Sequence, residues 1–392
     1  MSTLRRRFFL TLLIAFLWTT VFARSGGAEN AAANTAVTEG ELAALLVRTL
    51  GLESGLPADP KPADYRTVLS GNRTYHFEAE DVYDTRGDNT SVRSYPLYGP
   101  FTGSGWLSGL AGSTKIRFTI FLPRAGEYSL HVVARGDGQQ WQAGDRIFRV
   151  DSGSSLREAV AGKVDLPAGK QTITLILPPE GAVDSFTLSA AAVTPLEPLG
   201  GWDFAATLTW GRFAEVLASM RSLDSQLPVD GPGAVKNVSV ADAAVLPATV
   251  ETTAIDYLGA HTAAHWVRAG VGGARLEIPL QIPTAGVYGV RIRLLGEQVA
   301  VSLDSTKAIW PGKPYFSWFD LGLKRFAQGK HLLVLALPPM GGADVVELTR
   351  YKASPSEYLK LTGLPDAAGM PVPRSECVKY LKLAIDLMHG QK

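Results

Sequence analysis

The sequence predicts a mainly β chain: two antiparallel β-sandwich (jelly-roll) domains with short flanking and linking α-helices. Two observations carry the prediction. One is an internal duplication. Trp106 to Leu130 reads WLSGLAGSTKIRFTIFLPRAGEYSL and Trp266 to Val290 reads WVRAGVGGARLEIPLQIPTAGVYGV, with the Trp, Pro123/Pro283, Gly126/Gly286 and Tyr128/Tyr288 pairs all 160 residues apart. The other is the local pattern inside each copy. Ile116, Phe118 and Ile120, then Tyr128, Leu130 and Val132, alternate with polar or small residues on either side of a turn bracketed by Pro123 and Gly126, which is the signature of half-buried strands joined in a hairpin. Turn signals at intervals of roughly ten residues imply sandwiches or jelly rolls.

The chain opens on Arg5, Arg6 and Arg7 followed by an apolar run from Phe8 to Val21. That run is shorter than the roughly 20 residues a membrane span needs, and small residues follow at Ala23 and Ala28. Residues 1–28 therefore read as a signal peptide. The expectation is an exported protein, periplasmic or at the cell surface, with no membrane span once the leader is removed. Loss of Arg5, Arg6 and Arg7 alone takes the formal charge from +1 to −2, which leaves no basic excess for nucleic acid. Cys377 is the single cysteine, so no internal disulfide and no cysteine zinc site can form.

Helical periodicity appears between and around the copies. Leu42, Leu45, Leu46 and Leu50 follow Thr38 and Glu41, a capping box. A similar helical segment follows Thr209, 171 residues after Thr38, and a third amphipathic segment runs from Pro373 to Met388. The predicted order is a helical segment (36–70), a first sandwich (71–195), a helical linker (196–246), a second sandwich (247–352) and a C-terminal helical segment (353–392). Between the matching blocks, Asp151-Ser152 and Asp304-Ser305 are 153 apart. This spacing predicts that the second copy lacks seven residues around Gln139-Gln140-Trp141. Such a difference would lie in a loop.

Four motifs occur in order: His76-Phe-Glu-Ala-Glu-Asp81, Phe121-Leu-Pro-Arg-Ala-Gly-Glu-Tyr128, Asp165-Leu-Pro-Ala-Gly-Lys170 and Val183-Asp-Ser-Phe-Thr-Leu188. Together they resemble carbohydrate-binding modules of families 6 and 35, within the galactose-binding-like sandwiches. The resemblance implies a structural calcium ion held by Glu78, Glu80 and Asp184. It also implies sugar contacts from loop aromatics and amides, for which Trp141, Gln139, Gln140, Tyr95 and Tyr98 are the candidates. In the second copy, the resemblance matches the opening to Val250-Glu251-Thr252-Thr253, where only one Glu remains. Trp106 is expected in the core. The segment from Val37 to Leu52 is similar to the first helix of S-layer homology domains, which attach proteins to cell-wall polymers, but the aspartate- and glycine-bearing second half of that motif is missing.

The chain holds no Gly-x-Ser-x-Gly elbow, P-loop or dinucleotide fingerprint. His261 and His265 are four apart but have no Glu between them. The sequence thus points to a non-catalytic protein that binds a polysaccharide or other glycan. The alternative is a structural or assembly protein whose sandwiches contact envelope proteins.

Overall fold

A computed structural model describes residues 35–86, 90–256, 258–304 and 306–389. The expected signal peptide lies outside the described residues. The chain is mainly β, built of two antiparallel sandwiches and a helical body. Among the described residues no helix is long and apolar enough to cross a membrane.

The first sandwich is made of β1 (Thr74–Glu78), β2 (Ser91–Arg93), β3 (Trp106–Ser108), β4 (Thr114–Leu122), β5 (Gly126–Arg135), β6 (Gln139–Ala143), β7 (Arg146–Val150), β8 (Arg157–Leu166), β9 (Gly169–Leu177) and β10 (Ala182–Ser189). One sheet runs β2-β3-β10-β5-β8 with β1 also on β10, and the other runs β4-β9-β6-β7. The alternation read from the sequence is observed: Ile116, Phe118, Ile120, Tyr128, Leu130 and Val132 all face the core between the sheets.

The second sandwich uses β11 (Val235–Ser239), β12 (Val250–Thr253), β13 (Trp266–Ala269), β14 (Ala274–Ile282), β15 (Gly286–Leu303), β16 (Thr306–Phe326), β17 (Gly329–Leu337) and β18 (Gly342–Arg350). Here β15 and β16 are long enough to belong to both layers. β15 bends at Gly296, whose φ of 113° and closeness to Pro338 exclude a side chain.

Strand pairing corrects two sequence expectations. Gln139 pairs with Val150 and Gln140 with Ile176, while Val299 pairs with Trp310 and Ala300 with Ala336. The separation of 160 therefore holds through the whole hairpin. The second copy lacks no residues around Gln139-Gln140-Trp141; Val299-Ala300-Val301 stand there, and the two Asp-Ser dipeptides are not equivalent. The second correction concerns the opening strand. Ser239 pairs with Val345 on β18 as Glu78 pairs with Ser185 on β10, so the second sandwich begins at Val235, inside the span expected to be linker. Val250–Thr253 instead pairs with β13 as β2 pairs with β3.

The three helical segments form one body with a single core. Leu42, Leu46, Val68, Phe213, Leu217, Tyr358, Cys377 and Leu381 pack together. Its helices are Glu39–Thr49, Pro62–Leu69, Trp210–Met220, Pro355–Thr362 and Arg374–His389. Thr38 makes the expected capping box, its hydroxyl accepting from Glu41 N at 3.1 Å while its own N–H donates to Glu41 Oε2 at 2.9 Å. Cys377 is fully buried, and burial pushes its thiol up to about 12, which removes it from thiolate chemistry.

Ahead of three helices, short extended pieces join in a ring. Val37 N donates to Val372 O (3.1 Å), Val372 N to Leu208 O (2.9 Å) and Leu208 N to Val37 O (2.8 Å). A second ring repeats the pattern at the first helical residues: Glu39 N to Ala206 O, Trp210 N to Met370 O and Arg374 N to Thr35 O, each 3.0 Å. Buried ion pairs reinforce this body. Glu39 takes Arg212 Nε at 2.7 Å, and Asp224 takes Arg325 Nε at 2.8 Å, joining the second sandwich to the helices.

Glu215 in this body is buried, and desolvation pushes its carboxyl up to about 7 despite the Leu199 N–H and the nearby Arg212. A carboxyl that holds its proton more tightly in the folded state adds stability below pH 4.5, its unfolded value. That contribution, about 3 kcal/mol by linkage, is lost as pH rises through 7. Urea unfolding at pH 5 and pH 8 is expected to show this decline, and Glu215→Gln is expected to flatten it. An unchanged slope in the variant would exclude Glu215 as its source.

Candidate functional site

The end of the first sandwich remote from the helical body gathers most of the predicted site residues. The near end abuts the helices: Arg124 Nε donates to Val68 O, and Gly55 lies so close to Pro123 O that no side chain would fit. β5 and β9 both run away from that contact, so the connections after Arg135 and Leu177 lie at the far end with the long segment between β2 and β3.

Trp106, at the start of β3, is buried there and donates its Nε1–H to Tyr95 O at 3.0 Å. Two tyrosine rings pack on it, Tyr95 edge-on at 6.0 Å and Tyr98 at 5.2 Å. Tyr95 remains 47% exposed. The Arg135 guanidinium lies 3.9 Å from the Tyr98 ring centroid and is fixed by Ser154 O and Glu180 O. The result is an amphipathic surface of two rings and one planar cation on an apolar support.

The segment carrying these tyrosines is held by the three predicted carboxylates. Asp184 Oδ1 accepts from Thr102 N at 3.0 Å. The Thr102 hydroxyl lies 2.8 Å from Glu78 Oε2 and 3.1 Å from Asp184 Oδ2. Glu80 Oε1 accepts from Ser104 N at 2.7 Å and Gly105 N at 3.0 Å. Gly103 has φ 63°, a conformation that favours glycine, and lies directly against Glu80 Oε1. Burial raises the Asp184 carboxyl above the usual range, and Glu78 adds to the effect, against the opposing Thr102 hydrogen bonds. Glu80 Oε2 is buried with no hydrogen-bond partner. Among the described residues no group of three or more His, Cys, Asp and Glu side chains is drawn together as a ready metal cage. The carboxylates converge on a loop, leaving one unsatisfied oxygen.

Trp141 and Gln139 do not belong to this surface. Both are fully buried. Trp141 stacks on Phe118 at 5.9 Å and meets Phe186 edge-on, and Gln139 accepts its Nε1–H at 2.9 Å. The Gln139 amide donates to Gly136 O and Ser152 Oγ, which uses its polar groups inside the core. Gln140, one residue out of phase, is half-buried on the opposite face of β6. The structure also adds Arg135, Thr102 and Ser104, which the motif reading missed. The Gly103-Ser-Gly105 run directly before Trp106 was the available signal, because a backbone must come close where side chains are absent.

The second sandwich has the same frame with different chemistry. Trp266 Nε1 donates to Ile255 O at 3.1 Å, as Trp106 does to Tyr95. Ile255, Leu258 and Leu295 stand at the positions of Tyr95, Tyr98 and Arg135, with Phe316 against Trp266. Asp344 still accepts from Thr262 N and Ala263 N, but Ser239 and Ala241 replace the two glutamates. The Arg293 guanidinium comes within 3.9 Å of Asp344.

No family model matches the chain, and no curated protein matches it. Solved structures do. The chain is similar to carbohydrate-binding modules of families 35 and 6. A family 35 module from Clostridium thermocellum is 12% identical over 29% of this chain and 96% of its own, with a TM-score of 0.24. One from Paenibacillus barcinonensis is 18% identical over 30% and 99%, with a TM-score of 0.25. A Podospora anserina mannanase carrying a family 35 module is 23% identical over 40% of this chain, with a TM-score of 0.27. The chain spans 36% of that mannanase and 26% of a Paenibacillus xanthan lyase.

Truncating Trp141 to alanine is expected to cost about 3–5 kcal/mol, the usual range for a large buried aromatic, whereas Tyr95→Ala is expected to stay within about 0.5 kcal/mol. Urea denaturation of the two variants measures the contrast. A mild Trp141→Ala effect would contradict the full burial of this indole.

Proposed function

We propose that the protein is an exported, non-catalytic glycan-binding protein whose first sandwich takes a polysaccharide on Tyr95, Tyr98 and Arg135. The observation that supports this reading is the contrast at equivalent positions. The first sandwich holds an exposed Tyr95 with half-buried Tyr98 and Arg135, at the end turned away from the helical body. The second has Ile255, Leu258 and Leu295 there. A pyranose presents C–H faces that stack on rings and hydroxyls that need paired donors and acceptors, and the phenol and guanidinium groups supply both.

Calcium belongs to the same reading. Glu78, Glu80 and Asp184 would hold it, with the orphaned Glu80 Oε2 as the ligand that lacks any other partner. A hard cation prefers such oxygens. It would fix the Thr102–Gly105 loop, and through that loop the tyrosines.

A second reading, a structural component that contacts envelope proteins, draws on the second sandwich. Its loop end is closed and apolar, and Val271 nearby is 87% exposed.

Binding of residues 29–392 to a broad panel of polysaccharides tests the proposal. Tyr95→Ala and Tyr98→Ala together are expected to weaken binding by about tenfold or more. Failure of the folded protein to bind any glycan would transfer support to the structural reading. For calcium, the thermal midpoint is expected to rise on titration, by an amount equivalent to about 2.7 kcal/mol at a hundredfold excess over Kd. Glu80→Gln is expected to abolish the rise. A midpoint indifferent to both calcium and chelator would remove the ion from the account.

A further inference from the structure

Between the two sandwiches lie two adjoining hollows that share Ala192. The larger, about 680 Å3, is lined from the first sandwich by Arg73, Glu127 and Lys163 and from the second by Lys307. The smaller, about 370 Å3, is lined by the chain around Asn72 and Thr194 and, opposite, by Asp304, Lys324 and Arg325. Both volumes are within the range of ordinary ligand sites.

The charges in this cleft do not balance. Its carboxylates are engaged: Glu127 with Lys163 at 2.9 Å, Asp224 with Arg325 at 2.8 Å and Asp304 with His331 at 2.7 Å. Arg73, Lys307 and Lys324 have no carboxylate partner among the described residues. Arg73 donates Nη2–H to Ala125 O, and its Nε is buried without a partner.

Lys324 is the most telling. It pairs with Tyr288 where Val164 pairs with Tyr128, so an ammonium stands at a position that is buried core in the first sandwich. Burial lowers its pKa, and folding alone gives no reason to place a cation there. Lys307 likewise occupies the position of the exposed Ile147. The second sandwich thus presents two lysines to the cleft at positions where its sister has aliphatic residues, in a chain whose overall charge is near zero.

We propose that this cleft binds a stretch of an acidic polysaccharide, one bearing carboxylates such as uronic acids, with Lys307, Lys324 and Arg73 as the anion contacts. The inference rests on the reading of the protein as a glycan binder, though not on the tyrosine surface. An extended acidic polymer fits better than a small anion because the unpaired cations are spread over two adjoining hollows and both sandwiches. Electrostatic binding of this kind weakens with salt.

Polygalacturonate and its methyl ester, which share a backbone and differ in charge, are the probes. The full mature chain is expected to bind the acid more tightly than the ester. Lys307→Glu and Lys324→Met are each expected to reduce that preference, and together to lower acid binding by about tenfold with a weaker salt dependence. The double Tyr95→Ala, Tyr98→Ala variant is expected to keep the preference. Lys307 is exposed, so its variant reports on binding even if Lys324→Met proves unstable. Equal affinity for acid and ester, a preference that survives both lysine changes, or equally tight binding of poly-glutamate would each overturn the cleft proposal and leave the tyrosine site standing. Absence of binding to every glycan would overturn both.

Discussion

The backbone ring at Val37, Leu208 and Val372 is the constraint on which the architecture depends. Each of the three pieces gives one N–H and one carbonyl to the other two, so the ring closes only when all three are present. Buried peptide groups left unpaired are costly, and no single helical segment has enough apolar surface to stand alone in water. The body is therefore cooperative across nearly the whole chain. It tolerates two sandwiches within its sequence because each leaves next to where it entered. Leu196 N meets Leu69 O and Val193 N meets Gly71 O at the base of the first; Lys352 N meets Pro228 O and Asp230 N meets Arg350 O at the base of the second. Insertion between neighbouring backbone segments adds little closure cost once the inserted domain is folded.

This placement decides which surfaces are available. The turns around Pro123 and the start of β15 at Val287 are covered by helices, so the opposite loop ends of the sandwiches carry the variation. The frame there is common to both: an indole at the first residue of a strand, its N–H tied to a backbone carbonyl eleven residues earlier. On that frame the first sandwich mounts tyrosines and the second aliphatic residues. Recognition can be changed in one copy without touching the packing beneath it, which is the usual division between loops and scaffold.

The duplication, the strand alternation and the capping box were legible because each is local or repeats at a fixed spacing. The opening strand Val235–Ser239 was not, since it has lost the two glutamates that mark its counterpart, and only its pairing with β18 reveals it. The Asp-Ser dipeptides misled by coincidence. Gln139, Trp141 and Ala143 have the parity of an inward-facing strand. A tryptophan with an amide two residues away looked like a sugar platform, yet that amide satisfies the indole N–H inside the core. The union of the helical segments was invisible because it is made by backbone groups from distant parts of the chain. The three carboxylates, by contrast, were found by motif and do meet on one loop.

The fate of those carboxylates in the two copies shows what each loop anchor needs. Asp184 and Asp344 do the same work, accepting amide hydrogens from the segment that precedes the tryptophan common to both copies. In the second sandwich this buried charge faces Arg293, and both neighbouring glutamates are gone. In the first, the position of Arg293 is occupied by Val133, and Glu78 adds negative charge beside Asp184. Burial raises the proton affinity of the Asp184 carboxyl, and the neighbouring Glu78 adds to it. Amide and hydroxyl donors offset part of that cost but leave Glu80 Oε2 unanswered. One copy balances its anchor with an internal guanidinium; the other concentrates anionic oxygens without one. In the proposed function a cation from solution takes that role, which would make the order of the tyrosine-bearing loop responsive to calcium in the first sandwich alone.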